Sequence, residues 1–214
     1  MANSNLTHLV FLLDRSGSMQ SIKSDVVGGF DAFLVEQRAA EGQCIATLAQ
    51  FDHEYEVVYQ GLSIDRVPPL VLEPRGRTAL LDSMGKLITD TAARIDALPE
   101  DGRPGTVVVA VMTDGHENAS IEWPRPAVKA LVEQQTNERG WEFLYMGADQ
   151  DAVEVGGGLG VKADQAVTYA RGKSREAWVA ASDNVRRYRG AKLIDPVAAM
   201  PAFTADQRSE LSDG

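Results

Sequence analysis

The chain has 214 residues, 44% hydrophobic and 24% charged, which is enough apolar material for one sizeable core and does not demand a second. A formal charge of −10 argues against unspecific nucleic-acid binding, which needs a basic face. Met1 to Leu6 lacks the basic region, apolar stretch and cleavage site of a signal peptide, and no later run reaches the about 18 apolar residues that span a bilayer; the protein is therefore expected to be cytoplasmic and free of the membrane.

Apolar, β-branched runs recur along the chain and most are followed by helical spacing, the pattern of an α/β fold with a largely parallel sheet. Thr7–Leu13 is a nearly unbroken apolar run, as expected of a central strand covered on both faces. Ile22, Val26, Phe30, Phe33 and Leu34 fall on one face of a first helix, where Gly28-Gly29 is costly unless it serves close packing. Gln43–Phe51 is the next strand. It holds the single cysteine, Cys44, which has no disulfide partner and reads as a small buried hydrophobe. Only Asp52-His53 separates it from Glu54–Tyr59, whose alternation predicts a half-exposed antiparallel edge strand.

Thr78 suits the N-cap of a second helix that runs to Pro99 on Leu80, Met84, Leu87, Ile88, Thr91 and Ile95. Thr106–Met112 is a second apolar run, expected beside Thr7–Leu13 in the middle of the sheet. A third helix follows Pro126 on Val128, Leu131 and Val132, then a strand at Trp141–Met146 and a short helix near Asp151–Leu159. Gly156-x-Gly158-x-Gly160 follows no strand, so it reads as a helix stop and not as a dinucleotide loop. Ala166–Tyr169 is the last strand, and Trp178, Ala181, Val185 and Tyr188 mark the last helix, with Arg186, Arg187 and Arg189 as its solvated end. The expectation is one domain over residues 1–190: a doubly wound, mostly parallel sheet with one antiparallel edge strand and helices on both faces. Residues 191–214 read as a docked or partly disordered tail.

The chemistry collects at strand ends. The first central strand runs into Asp14-Arg15-Ser16-Gly17-Ser18, delivering an acid and two hydroxyls at alternate positions to the carboxyl edge, where open α/β sheets bind ligands. The second ends in Thr113-Asp114-Gly115 and brings another carboxylate to the same edge. Pro74-Arg75-Gly76-Arg77-Thr78 adds a hydroxyl at a helix start, with a glycine that lets the backbone approach closely. Five oxygen donors, from Asp14, Ser16, Ser18, Thr78 and Asp114, with no thiolate or imidazole at matching positions, suit Mg²⁺, Mn²⁺ or Ca²⁺ in preference to zinc or copper. Few carboxylates and neutral hydroxyls favour compact octahedral coordination with retained waters, hence Mg²⁺ first.

Asp14-x-Ser16-x-Ser18, Thr78 and Asp114 together resemble the metal-ion-dependent adhesion site of von Willebrand factor A-type domains, and the strand and helix order over about Thr7–Tyr188 is similar to theirs. The resemblance, to an intracellular bacterial-type member, implies that Ser16 and Ser18 bind metal directly, while Thr78, Asp14 and Asp114 do so directly or through water. It further implies a protein-binding module, not an enzyme, whose cation takes an Asp or Glu from a protein partner, or from another copy's tail at Glu210 or Asp213. A haloacid dehalogenase-type phosphatase would need a second aspartate at the position of Ser16. A serine hydrolase would need Gly-x-Ser-x-Gly, which is absent. A scaffold with an unused metal site is the remaining alternative. His8 and His53 read as structural and His116 as a solvated loop residue. Glu56, on the edge strand, reads as remote from the site.

Overall fold

The computed structural model describes residues 2–212. Six strands, β1 (Asn3–Asp14), β2 (Gln43–Phe51), β3 (Tyr55–Ser63), β4 (Pro104–Thr113), β5 (Glu142–Ala148) and β6 (Ala166–Tyr169), form one sheet in the order β3-β2-β1-β4-β5-β6. Every neighbouring pair is parallel except β2 and β3, so the sheet is mixed, with one antiparallel edge. The helices are α1 (Lys23–Ala39), α2 (Leu80–Ala97), α3 (Arg125–Arg139), α4 (Ala152–Gly158), α5 (Ser174–Ile194) and α6 (Ala205–Ser212). Among the described residues no helix is long and apolar enough to cross a membrane.

The period-two geometry of a strand sends the apolar runs of β1 and β4 to both faces. Leu9, Phe11, Leu13, Val108, Ala110 and Met112 enter the core under α1 and α5, whereas Val10, Leu12, Val107, Val109 and Val111 enter the core under α2 and α3. Phe11 sits edge-to-face on Phe30, Phe33 and Trp178 at ring-centroid distances of 4.9, 5.3 and 6.0 Å. Phe11→Ala is expected to lower the unfolding free energy by about 4 kcal/mol in a urea titration. A loss below about 1 kcal/mol would show that this cluster does not anchor the sheet.

The two glycines of α1 separate in role. A Cβ on Gly29 would lie 2.9 Å from both Arg175 Cα and Trp178 Cδ1, so the missing side chain is what lets α1 and α5 touch; Gly28 faces open space. Arg189 corrects the expectation of a solvated arginine end. Helix α5 continues to Ile194, which puts Arg189 within the helix and only 2% exposed. Its guanidinium donates to Gln37 O and Gln37 Oε1 at 2.7 and 3.0 Å, and to Glu41 O and Gly42 O at 3.3 and 3.2 Å, satisfying a carbonyl that α1 leaves free near its end and two of the turn that follows. Arg186 and Arg187 do pair at the surface with Asp183.

Among the described residues beyond 190 the chain is fastened to the body. Met200, Phe203 and Leu211 are buried, Arg208 donates to Ala166 O at 2.7 Å, and Ala170 N donates to Leu211 O at 2.8 Å, fastening α6 along β6. Asp213 lies outside the described residues. Cys44 is buried, and burial pushes its thiol up to about 11, as suits a packing residue. His8 is buried against Thr47 Oγ1 at 2.8 Å, and burial lowers its imidazole to about 4, so it is a neutral structural group near pH 7.

Candidate metal centre

The chain passes from β1 to β2 on one side and reaches β4 on the other, so the loops after β1 and β4 diverge and leave a crevice at the carboxyl edge. Asp14, the last residue of β1, is paired across from Phe51 and is fully buried. Its Oδ1 accepts from Ser16 N at 2.6 Å and its Oδ2 from Thr113 Oγ1 at 2.5 Å. Burial pushes the Asp14 carboxyl up to about 6; the Thr113 and Ser16 hydrogen bonds oppose the rise and Asp114 adds to it.

Ser16 Oγ stands 3.1 Å from Ser18 Oγ, and Ser18 Oγ donates to Asp114 Oδ1 at 2.5 Å. The other carboxylate oxygen, Asp114 Oδ2, is buried and has no hydrogen-bond partner among the described residues. Burial raises the Asp114 carboxyl, against the opposing pull of the Ser18 hydrogen bond and the Arg171 charge. Thr78 is buried, and its Oγ1 would lie 2.6 Å from a Cβ placed on Gly115, a point also 3.4 Å from Asp14 Oδ2. The absent side chain of Gly115 thus keeps a small space open between the threonine hydroxyl and the first aspartate. The structure brings all five predicted side chains to this crevice. Ser16 is buried beneath it, and Gly17 and Ser18 are exposed at its lip.

The start of α2 departs from the expectation in its cap. Thr78 makes no cap bond: α2 begins after Ala79, and its free amides are met from another loop. Glu117 Oε2 accepts from Leu81 N at 2.9 Å and Ser120 Oγ from Asp82 N at 3.0 Å, while Asn118 Oδ1 takes Thr78 N at 3.0 Å. In return Asp82 accepts the amides of Ile121, Glu122 and Trp123 at 2.7 to 2.9 Å. Released from capping, the Thr78 hydroxyl is free to face the crevice. Burial alone would raise the Glu117 carboxyl, but the amides of Leu81, Ser120 and Ala119 and the Ser120 hydroxyl bring it below the ordinary range.

A second supporting network holds the loop after β1. Arg15 is buried and its Nε donates to Asp52 Oδ2 at 3.0 Å, which also takes Arg75 Nε at 2.9 Å. Burial would raise Asp52, yet Arg75, the Glu54 amide and Arg15 hold its carboxyl below the usual range. Arg15 Nη1 also donates to Glu56, so Glu56 contacts a residue inside the Asp-x-Ser-x-Ser loop and is not remote from the site. Gly76, at φ +69°, brings the loop before α2 close: a Cβ there would lie 2.3 Å from His53 Nδ1. His116 is exposed, as expected.

Asp52, Thr113, Glu117 and Asn118 are the supporting residues that sequence reasoning missed. Thr-Asp-Gly at a strand end was a visible signal for Thr113. Nothing local marks the role of the other three, which is set by a partner tens of residues away: Arg15 for Asp52, Leu81 N for Glu117 and Thr78 N for Asn118. Among the described residues no group of three or more His, Cys, Asp or Glu side chains is placed to hold a metal, so any cation here relies on two carboxylates and neutral hydroxyls. Hard oxygen donors, a carboxylate oxygen without a partner and a space kept open by glycine fit a small divalent cation.

No protein-family model and no curated protein matches the chain. Solved structures do. A von Willebrand factor type A protein from Catenulispora acidiphila aligns over 86% of this chain and 43% of its own at 15% identity, with a TM-score of 0.55. The ArnB paralogue VWA2 of Sulfolobus acidocaldarius aligns over 84% and 45% at 14% identity, with a TM-score of 0.52. The von Willebrand factor domain of the type V pilus tip protein Mfa5 from Porphyromonas gingivalis aligns over 85% and 95% at 12% identity, with a TM-score of 0.58. The chain therefore spans less than half the length of the first two and nearly the whole of the pilus-tip domain. The fold is the von Willebrand factor A fold, a Rossmann-like arrangement with one antiparallel edge strand.

Proposed function

We propose that this chain is a binding module that holds a divalent cation, Mg²⁺ ahead of Mn²⁺ or Ca²⁺, at Asp14, Ser16, Ser18, Thr78 and Asp114, and captures an Asp or Glu of a protein partner there. The observation that carries the reading is the meeting of two buried carboxylates, both raised by burial, with three hydroxyls beside the Gly115 gap, one carboxylate oxygen lacking a partner. Such a set is under electrostatic tension that a cation relieves. Bound there, the cation would supply a concentrated positive charge that attracts an external carboxylate.

The chain's own contribution is positioning. Thr113 and the Ser16 amide orient Asp14, Ser18 orients Asp114, and Arg15 with Asp52 fixes the loop that carries both serines. Ser18 and Gly17 lie where a partner side chain can arrive from solvent. A long-range field from the charge of −10 opposes an acidic partner, but at physiological salt it is screened beyond about 8 Å, whereas a direct metal–oxygen contact is not. The phosphatase alternative gains nothing here, since Ser16 occupies the position of the required second acid.

The test is a calorimetric titration of the full chain with MgCl₂. Wild type is expected to bind, and Thr78→Ala to bind about tenfold more weakly with an unchanged melting temperature in chelator. Absence of binding to wild type, or equal affinity in the variant, would remove this reading. Partner capture should then depend on Mg²⁺ and on a single partner carboxylate. Glu56→Ala is unsuitable as a silent control because of its Arg15 contact; the exposed Glu36 is a better choice.

A further inference from the structure

The loops after β5 and β6 border the same crevice, and each supplies one half of an ion pair. Arg171, about half exposed, donates from Nε to Asp149 Oδ2 at 3.0 Å, while its Nη2 stands 3.8 Å from Asp114 Oδ2, the buried oxygen without a hydrogen-bond partner. That second separation exceeds hydrogen-bond range yet is close enough for direct charge interaction. The guanidinium is thus held beside the aspartate and kept from bonding to it.

Both residues are fixed in place. Asp149 is the only non-glycine residue with positive φ among the described residues, at 48°, a conformation that aspartate tolerates better than most. Its amide donates to Tyr169 O at 3.0 Å, which ties the first loop to the end of β6. On the second loop, Ala170 N donates to Leu211 O and Lys173 N to Ala170 O, both at 2.8 Å, and Ser174 Oγ donates to Arg171 O at 3.3 Å. The Arg171 side chain therefore projects from an anchored turn toward a tethering carboxylate. Among the described residues it is the one cationic group within ion-pair distance of either site aspartate.

We infer that Arg171 is an internal competitor of the cation: held by Asp149, it partly neutralises Asp114 in the metal-free protein and lowers the affinity of the site for a divalent ion. The inference rests on the metal-binding reading above. Asp149 sets the strength of the effect, because without it the guanidinium is free to close the remaining distance and bond to Asp114 Oδ2. Arg171 is a positioning and tuning residue, not a ligand.

The test uses the full chain, with Mg²⁺ alone and Mn²⁺ alone as probes in titration calorimetry. Arg171→Ala is expected to tighten both ions about fivefold, the size of a partly exposed charge coupling. Arg171→Lys, which keeps the charge, should stay within about twofold of wild type. Lys173→Ala, which removes a cation from the same turn, should also leave affinity within about twofold, separating a local effect from the general field. Unchanged or weaker binding in Arg171→Ala, or equal tightening in Lys173→Ala, overturns the inference while leaving the metal site standing. No binding by wild type overturns both.

Discussion

Asp14→Asn is expected to make the metal-free protein more stable and to abolish its response to Mg²⁺. The Asp14 carboxyl is fully buried and burial pushes it up to about 6 from an ordinary value of 3.8. A carboxyl raised in the folded state destabilises that state once ionised, so its penalty is absent below about 4, grows as pH rises through about 6 and is complete at pH 7. That rise corresponds to roughly 3 kcal/mol. Asparagine keeps an acceptor for Ser16 N and carries no charge, and Thr113 Oγ1 can turn its proton toward Gly115 O, which lies 3.2 Å away. In chelator at pH 7 the variant should therefore melt higher than wild type, and the difference should close on acidification to pH 4. In millimolar Mg²⁺ wild type should gain about 2 to 3 kcal/mol, as for a ligand near a hundred times its dissociation constant, and the variant nothing. Scanning calorimetry in the two buffers decides. A variant less stable than wild type in chelator, yet equally stabilised by Mg²⁺, would show that Asp14 is a structural acid and not part of a cation site.

Glu117→Ala should cost about 2 to 3 kcal/mol and lower the melting temperature by roughly 5 to 10 °C. Its two oxygens accept from Leu81 N, Ala119 N, Ser120 N and Ser120 Oγ at 2.7 to 2.9 Å, so one side chain closes the loop after β4 and caps α2 with a negative charge at the positive helix end. Because this carboxyl is depressed below its ordinary 4.5, its contribution is full above that pH and is lost as pH falls through the lower folded value. The gap between wild type and variant should therefore narrow only below about 4.5, where acid removes a stabilising charge, whereas acid relieves a destabilising one at Asp14. The variant should also lose part of its Mg²⁺ response, since the loop it releases carries Asp114 and Asn118. A melting temperature within about 1 °C of wild type would show that water replaces these bonds freely.

The sequence made the sheet legible because its signals are short. β2 and β6 were bounded as observed, and β1 and β4 were central because unbroken apolar runs must be covered on both faces. The Asp-x-Ser-x-Ser loop could be found for the same reason, since its spacing is carried within five residues. What escaped depends on distant partners. Thr78 looked like a cap because a threonine before a helix usually is one, and the true cap comes from Glu117, 36 residues away from the amide it serves. Asp52 reads as half of a turn dipeptide and becomes the buried anchor of Arg15 only when β2 lies beside β1. Arg189 reads as one of three surface arginines, and its burial follows from a partner 152 residues away in the chain. Met200, Phe203 and Leu211 have no helical period, so the docking of the last segment leaves no trace in the pattern.

The reciprocal fastening between α2 and the loop after β4 bears on which ion the site can select. Glu117 and Ser120 hold the first amides of α2, Asp82 holds three amides of the loop, and Asn118 holds Thr78. Thr78 and Asp114 consequently ride on a single clamped body, with their separation set at folding. On the reading proposed above, discrimination then falls on ionic radius: a site that cannot widen favours an ion content with six oxygens at about 2.1 Å over one that seeks seven or eight at about 2.4 Å.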